Sequence, residues 1–287
     1  MNVRNDLLGP EASQPPAPAA QHRQRSTVLL RTIALLYLGL LVAGPVALML
    51  YRTFQDGLAP VFAELTSPAF LHALKLTALI VAISVPLNAI FGVACALVMV
   101  RHQFPGKRLL DLLLTMPLGV SPVVVGLALV IVYGSRKGWV GPWFMEHGIR
   151  IIFATPGMVL ATIFVSLPFV AREVIPVLRE IGTDQEQAAR ILGANSWQTF
   201  RHITLPAIRT GVAYGVVLTT ARALGEYGAV AVVSGKMAGR TETLTLHVEE
   251  RWLAFEPVAA FTTSVVLALM ALLVLVLMRR LEPREVS

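Results

Sequence analysis

Six stretches of this chain are apolar for about twenty residues or more, roughly 29–51, 74–100, 109–133, 151–170, 211–234 and 257–278. A helix crosses the hydrocarbon of a bilayer with about 20 apolar residues, so each run is long enough to span. Hydrophobic residues make up 55% and charged residues 14% of the 287, against about 25% charged in a soluble domain. The pattern predicts an all-α integral membrane protein with six transmembrane helices in one domain, residues 27–281. The fourth run is the most interrupted, by Pro156 near its start and Pro168 near its end; a bundle tolerates proline at such places. Residues 1–26, rich in Pro, Ala and Gln without periodicity, read as a disordered cytosolic tail, and 282–287 as a second, short one. The first apolar run is too long for a signal-peptide core and lacks a small-x-small cleavage site. The single cysteine, Cys95, lies mid-span and reads as a small packing residue.

A net charge of +7 invites a nucleic-acid reading, which the placement of the cations opposes. With the N-terminus inside, fifteen Lys and Arg fall on cytosolic segments: Arg4, Arg23, Arg25, Arg31, Arg101, Lys107, Arg108, Arg172, Arg179, Arg190, Arg201, Arg209, Arg279, Arg280 and Arg284. Eight fall outside: Arg52, Lys75, Arg136, Lys137, Arg150, Lys236, Arg240 and Arg251. Arg222 is left inside a span. Cations accumulate on cytoplasmic loops, so the topology is N-in/C-in and the basic balance is a topology signal.

Between the fourth and fifth runs lies a polar interval, EQAARILGANSWQTFRHITLP, residues 186–206. Thr183-Asp184-Gln185-Glu186 has the form of a capping box opening a short helix through Leu192. Gly193 sits where a helix end takes a left-handed residue. Asn195 or Ser196 caps a second helix, which Pro206 is expected to end at Leu205. Gln187-Ala188-Ala189, three residues, Gly193, nine residues, then Ile203-x-Leu205-Pro206 resembles the "EAA" signature of ATP-binding-cassette importer permeases. The spacing matches throughout; the leading Glu of the signature is Gln187 here, with Glu186 just before it. The resemblance implies that a coupling loop, about 172–209, receives mechanical work from a separate ATPase through Glu186, Gln187, Ala188, Ala189, Gly193, Ile203, Leu205 and Pro206. An amphipathic helix lying on the membrane surface explains the periodicity but not this spacing.

The chain has no G-x-x-x-x-G-K-[ST] phosphate loop; Gly106-Lys107 and Gly235-Lys236 lack the required surroundings. It is therefore expected to bind no cofactor and no metal and to be no enzyme, with ATP and Mg used on the partner ATPase. The six histidines fall in the tail, loops or span edges, which disfavours a haem-binding membrane enzyme with axial ligands inside its bundle.

Charges inside a bilayer are expensive and default to function. Arg222 and Glu226, four residues apart, form the clear intramembrane pair. It reads as structural neutralisation that fixes helix packing, or as an element beside the translocation path. A proton-coupled carrier uses chains of Asp, Glu or His, and one self-paired acid falls short of that. In the third run, Pro117, Gly119 and Pro122 are expected to break the helix near mid-membrane, with Ser121 as N-cap and Pro122 at the first helical position. A half-helix starting there aims free N–H groups and a positive dipole end at a cavity, an arrangement suited to an anion; an ordinary proline kink is the other reading. Gly119, Ser121 and Pro122 are thus the candidates for the path.

VPLNAIFGV, FPGKRLLDLL, SPVVVGLAL, TPGMVLATIFVSLPFVAREVIPVL and YGVVLTTARALGEYGAVAVVSG are similar to the permease subunits of sulfate/thiosulfate importers, specifically the W-type. The similarity runs from about residue 30 to about 280. Molybdate and tungstate permeases share the EAA region and a Gly-Glu-(aromatic)-Gly-Ala element, here Gly225 to Ala229. The resemblance implies a type I importer architecture in the bacterial inner membrane. It also implies a heterodimer with a T-type permease, a cytosolic ATPase dimer and a periplasmic sulfate-binding protein. A secondary carrier or channel would also show six spans but gives no reason for the EAA spacing; a scaffold without transport is the third reading.

Overall fold

The computed structural model describes residues 31–281, with side chains through residue 277, and no strand occurs among them. The two tails expected at 1–26 and 282–287, with their cations and His22, lie outside the described residues, as do the side chains of Arg279 and Arg280. The chain divides at Tyr51/Arg52 into two units. The described residues of the first belong to helix α1, Arg31–Phe54, which is long and apolar enough to cross a membrane.

The second unit carries α2 (Leu58–Leu65), α3 (Pro68–Arg101), α4 (Lys107–Gly119), α5 (Pro122–Tyr133), α6 (Gly141–Glu146) and α7 (Thr155–Ile181). After these come α8 (Asp184–Ile191), α9 (Ser196–Thr199), α10 (Leu205–Leu224), α11 (Gly228–Ser234), α12 (Leu244–Leu253) and α13 (Pro257–Leu281). Local chemistry explains the starts. The Ser67 hydroxyl accepts from the Phe70 N–H at 3.1 Å and Pro68 takes the first turn of α3, where its missing donor costs nothing.

Among the described residues five helices are long and apolar enough to span, and the α4–α5 pair, bent by 115°, brings the number to six when taken as one broken span. The expected interruption of the third run is therefore present, at Val120–Ser121. Two boundaries differ from expectation. The fourth helix starts at Thr155 and runs on to Ile181, with Pro168 and Pro176 inside it rather than at its end. The fifth run is itself broken: α10 stops at Leu224, and α11 begins at Gly228 after a connection in which Glu226 Oε1 accepts from the Ala229 N–H.

The core forms where α7 packs between α3 and α10. Val170 of α7 is fully buried, and a Cβ on Gly92 of α3 would lie 2.7 Å from its Cβ, one on Gly215 of α10 2.6 Å from its Cα. Two glycines thus let three spanning backbones approach closely, which in lipid replaces the hydrophobic drive that water supplies elsewhere. Asn88 of α3 donates to the Ile163 carbonyl at 3.2 Å and to the Ser166 hydroxyl at 2.9 Å, fixing the register of α3 on α7.

Candidate functional site

The polar interval folds as the helix–glycine–helix hairpin its sequence predicts, α8 and α9. Gly193 takes φ +87°, its N–H donates to the Arg190 carbonyl at 3.0 Å, and Ala194 N–H donates to Ala189 at 3.0 Å. This closes α8 with both bonds of a Schellman turn. Asn195 then starts α9: its side chain accepts from Gln198 N–H at 2.8 Å while Gln198 accepts from Asn195 N–H at 2.9 Å. Of the two caps the sequence offered, Asn195 acts and Ser196 does not.

Two expectations fail here. The Thr183–Glu186 capping box does not form: Thr183 makes no cap bond, and its hydroxyl accepts from the Gln187 amide at 2.9 Å. Glu186 has turned inward instead. Its Oε1 receives Arg101 Nη2 at 3.1 Å and the Thr204 hydroxyl at 2.9 Å, while Arg101 also donates to the carbonyls of Leu178 (3.1 Å) and Gly182 (2.7 Å). The Arg101–Glu186 pair therefore ties α8 to the end of α3, the end of α7 and the entry to α10. Pro206 does not end the second helix either. A π-turn, Phe200–Thr204, leads straight into α10 with Leu205 helical. The wider turn absorbs the carbonyl clash and missing donor that proline imposes on an α-helix. The same device precedes Pro45 in α1, at Gly39–Ala43.

Among polar neighbours, the hairpin presents three large apolar side chains outward. Ile191, Leu192 and Trp197 are 86%, 88% and 65% exposed, and Ala188, Leu205 and Pro206 are exposed beside Gln187, while Ala189 is buried and Ile203 half-buried. Ordered, capped and oriented by Glu186, this tip has the composition of a docking surface.

Inside the bundle, Arg222 Nη1 lies 2.8 Å from Glu226 Oε2, with the two side chains 33% and 2% exposed. That oxygen has no well-aligned hydrogen bond, so the contact is Coulombic. Glu226 Oε1 accepts from Ala229 N–H at 2.9 Å and so caps the start of α11. Ser121 stands at the N-cap of α5 with Pro122 at the first position, and its hydroxyl makes no cap bond. Gly119 faces open space, and a Cβ on Gly228 would meet Pro122 at 3.0 Å. The starts of the half-helices α5 and α11 therefore touch, which the sequence alone did not reveal. Gly119, Ser121 and Pro122 stay together at that break.

Sequence reasoning also missed a buried ionic cluster outside the spans. His247 of α12 is fully buried, with Nε2 2.6 Å from Glu64 of α2 and Nδ1 3.0 Å from Glu242. Burial disfavours the charged ring, but the hydrogen bonds and charges of Glu242 and Glu64 outweigh it and raise its pKa to about 9. Arg251 Nε lies 3.8 Å from Glu64 and its Nη1 2.7 Å from Glu256. The periodic placement of Glu64 on a short helix carried no signal that a histidine 183 residues later would face it.

A family profile described as the inner membrane component of binding-protein-dependent transport systems matches residues 88–286, well over half of the chain and including the whole hairpin. The chain belongs to that family. This permease is 51% identical over 256 residues to a sulfate transport system permease protein CysW of Synechocystis sp., covering 89% of this chain and 92% of that one. It is 35% identical to a sulfate transport system permease protein CysT of Escherichia coli, covering 84% and 87%. Its fold matches a chain from the crystal structure of a bacterial alginate ABC transporter in complex with an alginate-pentasaccharide-bound periplasmic protein. The TM-score is 0.75 at 17% identity, covering 92% of this permease and 96% of that chain.

Proposed function

We propose that this permease is the W-type membrane subunit of an ATP-driven sulfate/thiosulfate importer in the bacterial inner membrane. The observation that carries the reading is the 51% identity, over nearly all of both chains, to a protein named as a CysW sulfate permease. The lower identity to the CysT protein favours the W-type role and makes a T-type subunit the natural partner in a heterodimer. A cytosolic ATPase dimer and a periplasmic sulfate-binding protein complete the assembly. ATP and Mg are used on the ATPase; this permease receives the mechanical input through Gln187, Ala188, Gly193, Ile203, Leu205 and Pro206, on a hairpin that the Arg101–Glu186 pair holds to three other elements. When the ATPase dimer closes, the exposed Ile191, Leu192 and Trp197 travel with it. The Arg101–Glu186 contact passes that displacement to the ends of α3 and α7, and the bundle alternates its access.

Sulfate is a dianion whose unaided transfer through hydrocarbon is prohibitive. Arg222 is already engaged by Glu226, so the anion meets weak donors: the Ser121 hydroxyl and the free N–H groups at the start of α5. Uptake of labelled sulfate by a strain lacking this permease tests the reading. Restoration by the wild-type chain, with competition by thiosulfate and little by molybdate, is expected. Restoration of molybdate uptake in preference to sulfate would reassign the substrate.

A further inference from the structure

At the hairpin end of the bundle a cleft of about 480 Å³ opens between the last turn of α3, the start of α4 and the end of α7. This is the cytosolic end by the distribution of cations. Its size falls in the range of ligand-binding clefts, about 300–1,000 Å³. Lys107, Arg108 and Arg179 line it against a single acid, Asp111. Neither arginine makes an ion pair among the described residues, and Lys107 reaches only the His102 carbonyl, at 3.4 Å. Three cations facing one unpaired carboxylate leave the cleft short of negative charge.

A second feature continues from the first. Directly after Arg108, Leu109, Leu112, Leu113 and Met116 are exposed along α4. Their spacing, i, i+3, i+4 and i+7, puts them on one face of the helix. A basic recess at the membrane boundary that runs straight onto an exposed apolar stripe has the two-part chemistry of an anionic lipid: a phosphate-bearing head for the recess and acyl chain for the stripe. A free oxyanion would use the first part alone.

We propose that this cleft is a binding site for the headgroup of an anionic phospholipid, held by Lys107, Arg108 and Arg179 with its acyl chain along Leu109, Leu112 and Leu113. The site adjoins the coupling machinery. Met99 lines the cleft and lies two residues before Arg101, whose guanidinium holds Glu186. An occupant joining α4 to the end of α7 therefore stiffens the segments against which the hairpin works.

The test uses the intact transporter purified with its partners, exchanged into nanodiscs of phosphatidylcholine with or without phosphatidylglycerol, and read by native mass spectrometry after detergent release. Wild-type transporter is expected to retain phosphatidylglycerol. An R108Q/R179Q variant, changed at exposed positions, is expected to retain it about twentyfold more weakly. D111N, which removes the only acid in the cleft, is expected to retain it more strongly, so a general loss of folding cannot mimic both results. Millimolar inorganic phosphate or sulfate should leave retention unchanged. Equal retention by wild type and R108Q/R179Q overturns the proposal, and so does displacement of the lipid by free phosphate or sulfate, which would make the cleft an oxyanion site.

Discussion

At the scale of single residues, the hairpin depends on one backbone angle and one carboxylate. Gly193 sits at φ +87° with nothing within 4 Å of where a Cβ would stand. Gly193→Val would therefore strain the backbone without a clash, by about 1–2 kcal/mol. Membrane abundance should survive while ATPase binding and uptake fall together; normal uptake at normal abundance would remove Gly193 from the coupling mechanism. Inside the bundle, Arg222→Ala leaves the Glu226 carboxylate buried with its Ala229 N–H bond and no countercharge. Loss of a buried partner typically costs about 3–5 kcal/mol, and less is expected here because Arg222 is one-third exposed. Either single alanine change should lower folded protein in a membrane-extract melting assay, and the double change should recover part of the loss. If Arg222→Ala keeps full abundance yet abolishes uptake, the arginine belongs to the anion path.

At the scale of elements, two ionic ties hold helices that lie far apart in sequence. The Arg101–Glu186 contact joins the ends of α3 and α8. Glu186→Gln weakens the charge attraction while keeping an acceptor for Thr204, so the hairpin should loosen, seen as faster amide exchange in residues 184–192, with the spans unaffected. Unchanged exchange would show that capping alone orders the hairpin. The second tie, Glu64–His247–Glu242, joins α2 to α12 beside Glu250 and Arg251. Its histidine has a folded pKa of about 9 against an ordinary 6.5. The stabilisation is therefore fully present below about pH 6.5, and it is lost as pH rises through 9, when the imidazolium releases its proton. Amide protection in α12, corrected for the base-catalysed intrinsic exchange rate, should fall between pH 8 and 10 in wild type, and His247→Gln should flatten that dependence. A wild-type profile that is flat through pH 10 would refute the protonated bridge.

At the scale of the whole molecule, the broken α4–α5 span and the broken α10–α11 segment meet at their half-helix starts without a free cation among them. The proposed path, built so lightly, would bind a dianion weakly, so selectivity should come chiefly from the external binding protein. In liposomes carrying the complete transporter, Ser121→Ala should reduce sulfate uptake by a few-fold. Gly119→Leu should reduce it more: Gly119 has open space around it within this chain, so a leucine would fold, and it would obstruct a passage that runs along the α4–α5 break. Selective transport at full rate with no binding protein present would place the selectivity in this permease instead.

Much of this architecture was legible in the linear chain because the membrane is an unforgiving solvent. Runs of twenty apolar residues have one way to satisfy their backbone, cations sort to one side, and the Gly193 turn and the Ser121-Pro122 break are each specified by neighbours within a few residues. Where a residue had two local options, position in the fold decided. Thr183–Glu186 has the form of a cap, but Arg101 and Thr204 offer the carboxylate a charge-assisted site that a cap does not. Pro206 reads as a helix end, but a π-turn and packing against α7 carry the helix through it. The meeting of Glu64, Glu242 and His247 left no trace in periodicity or spacing. Buried ion pairs are set by side chains that come together only when distant helices pack, so the sequence by itself determined the spans and the hairpin, and the tertiary structure alone decided which charges would face one another.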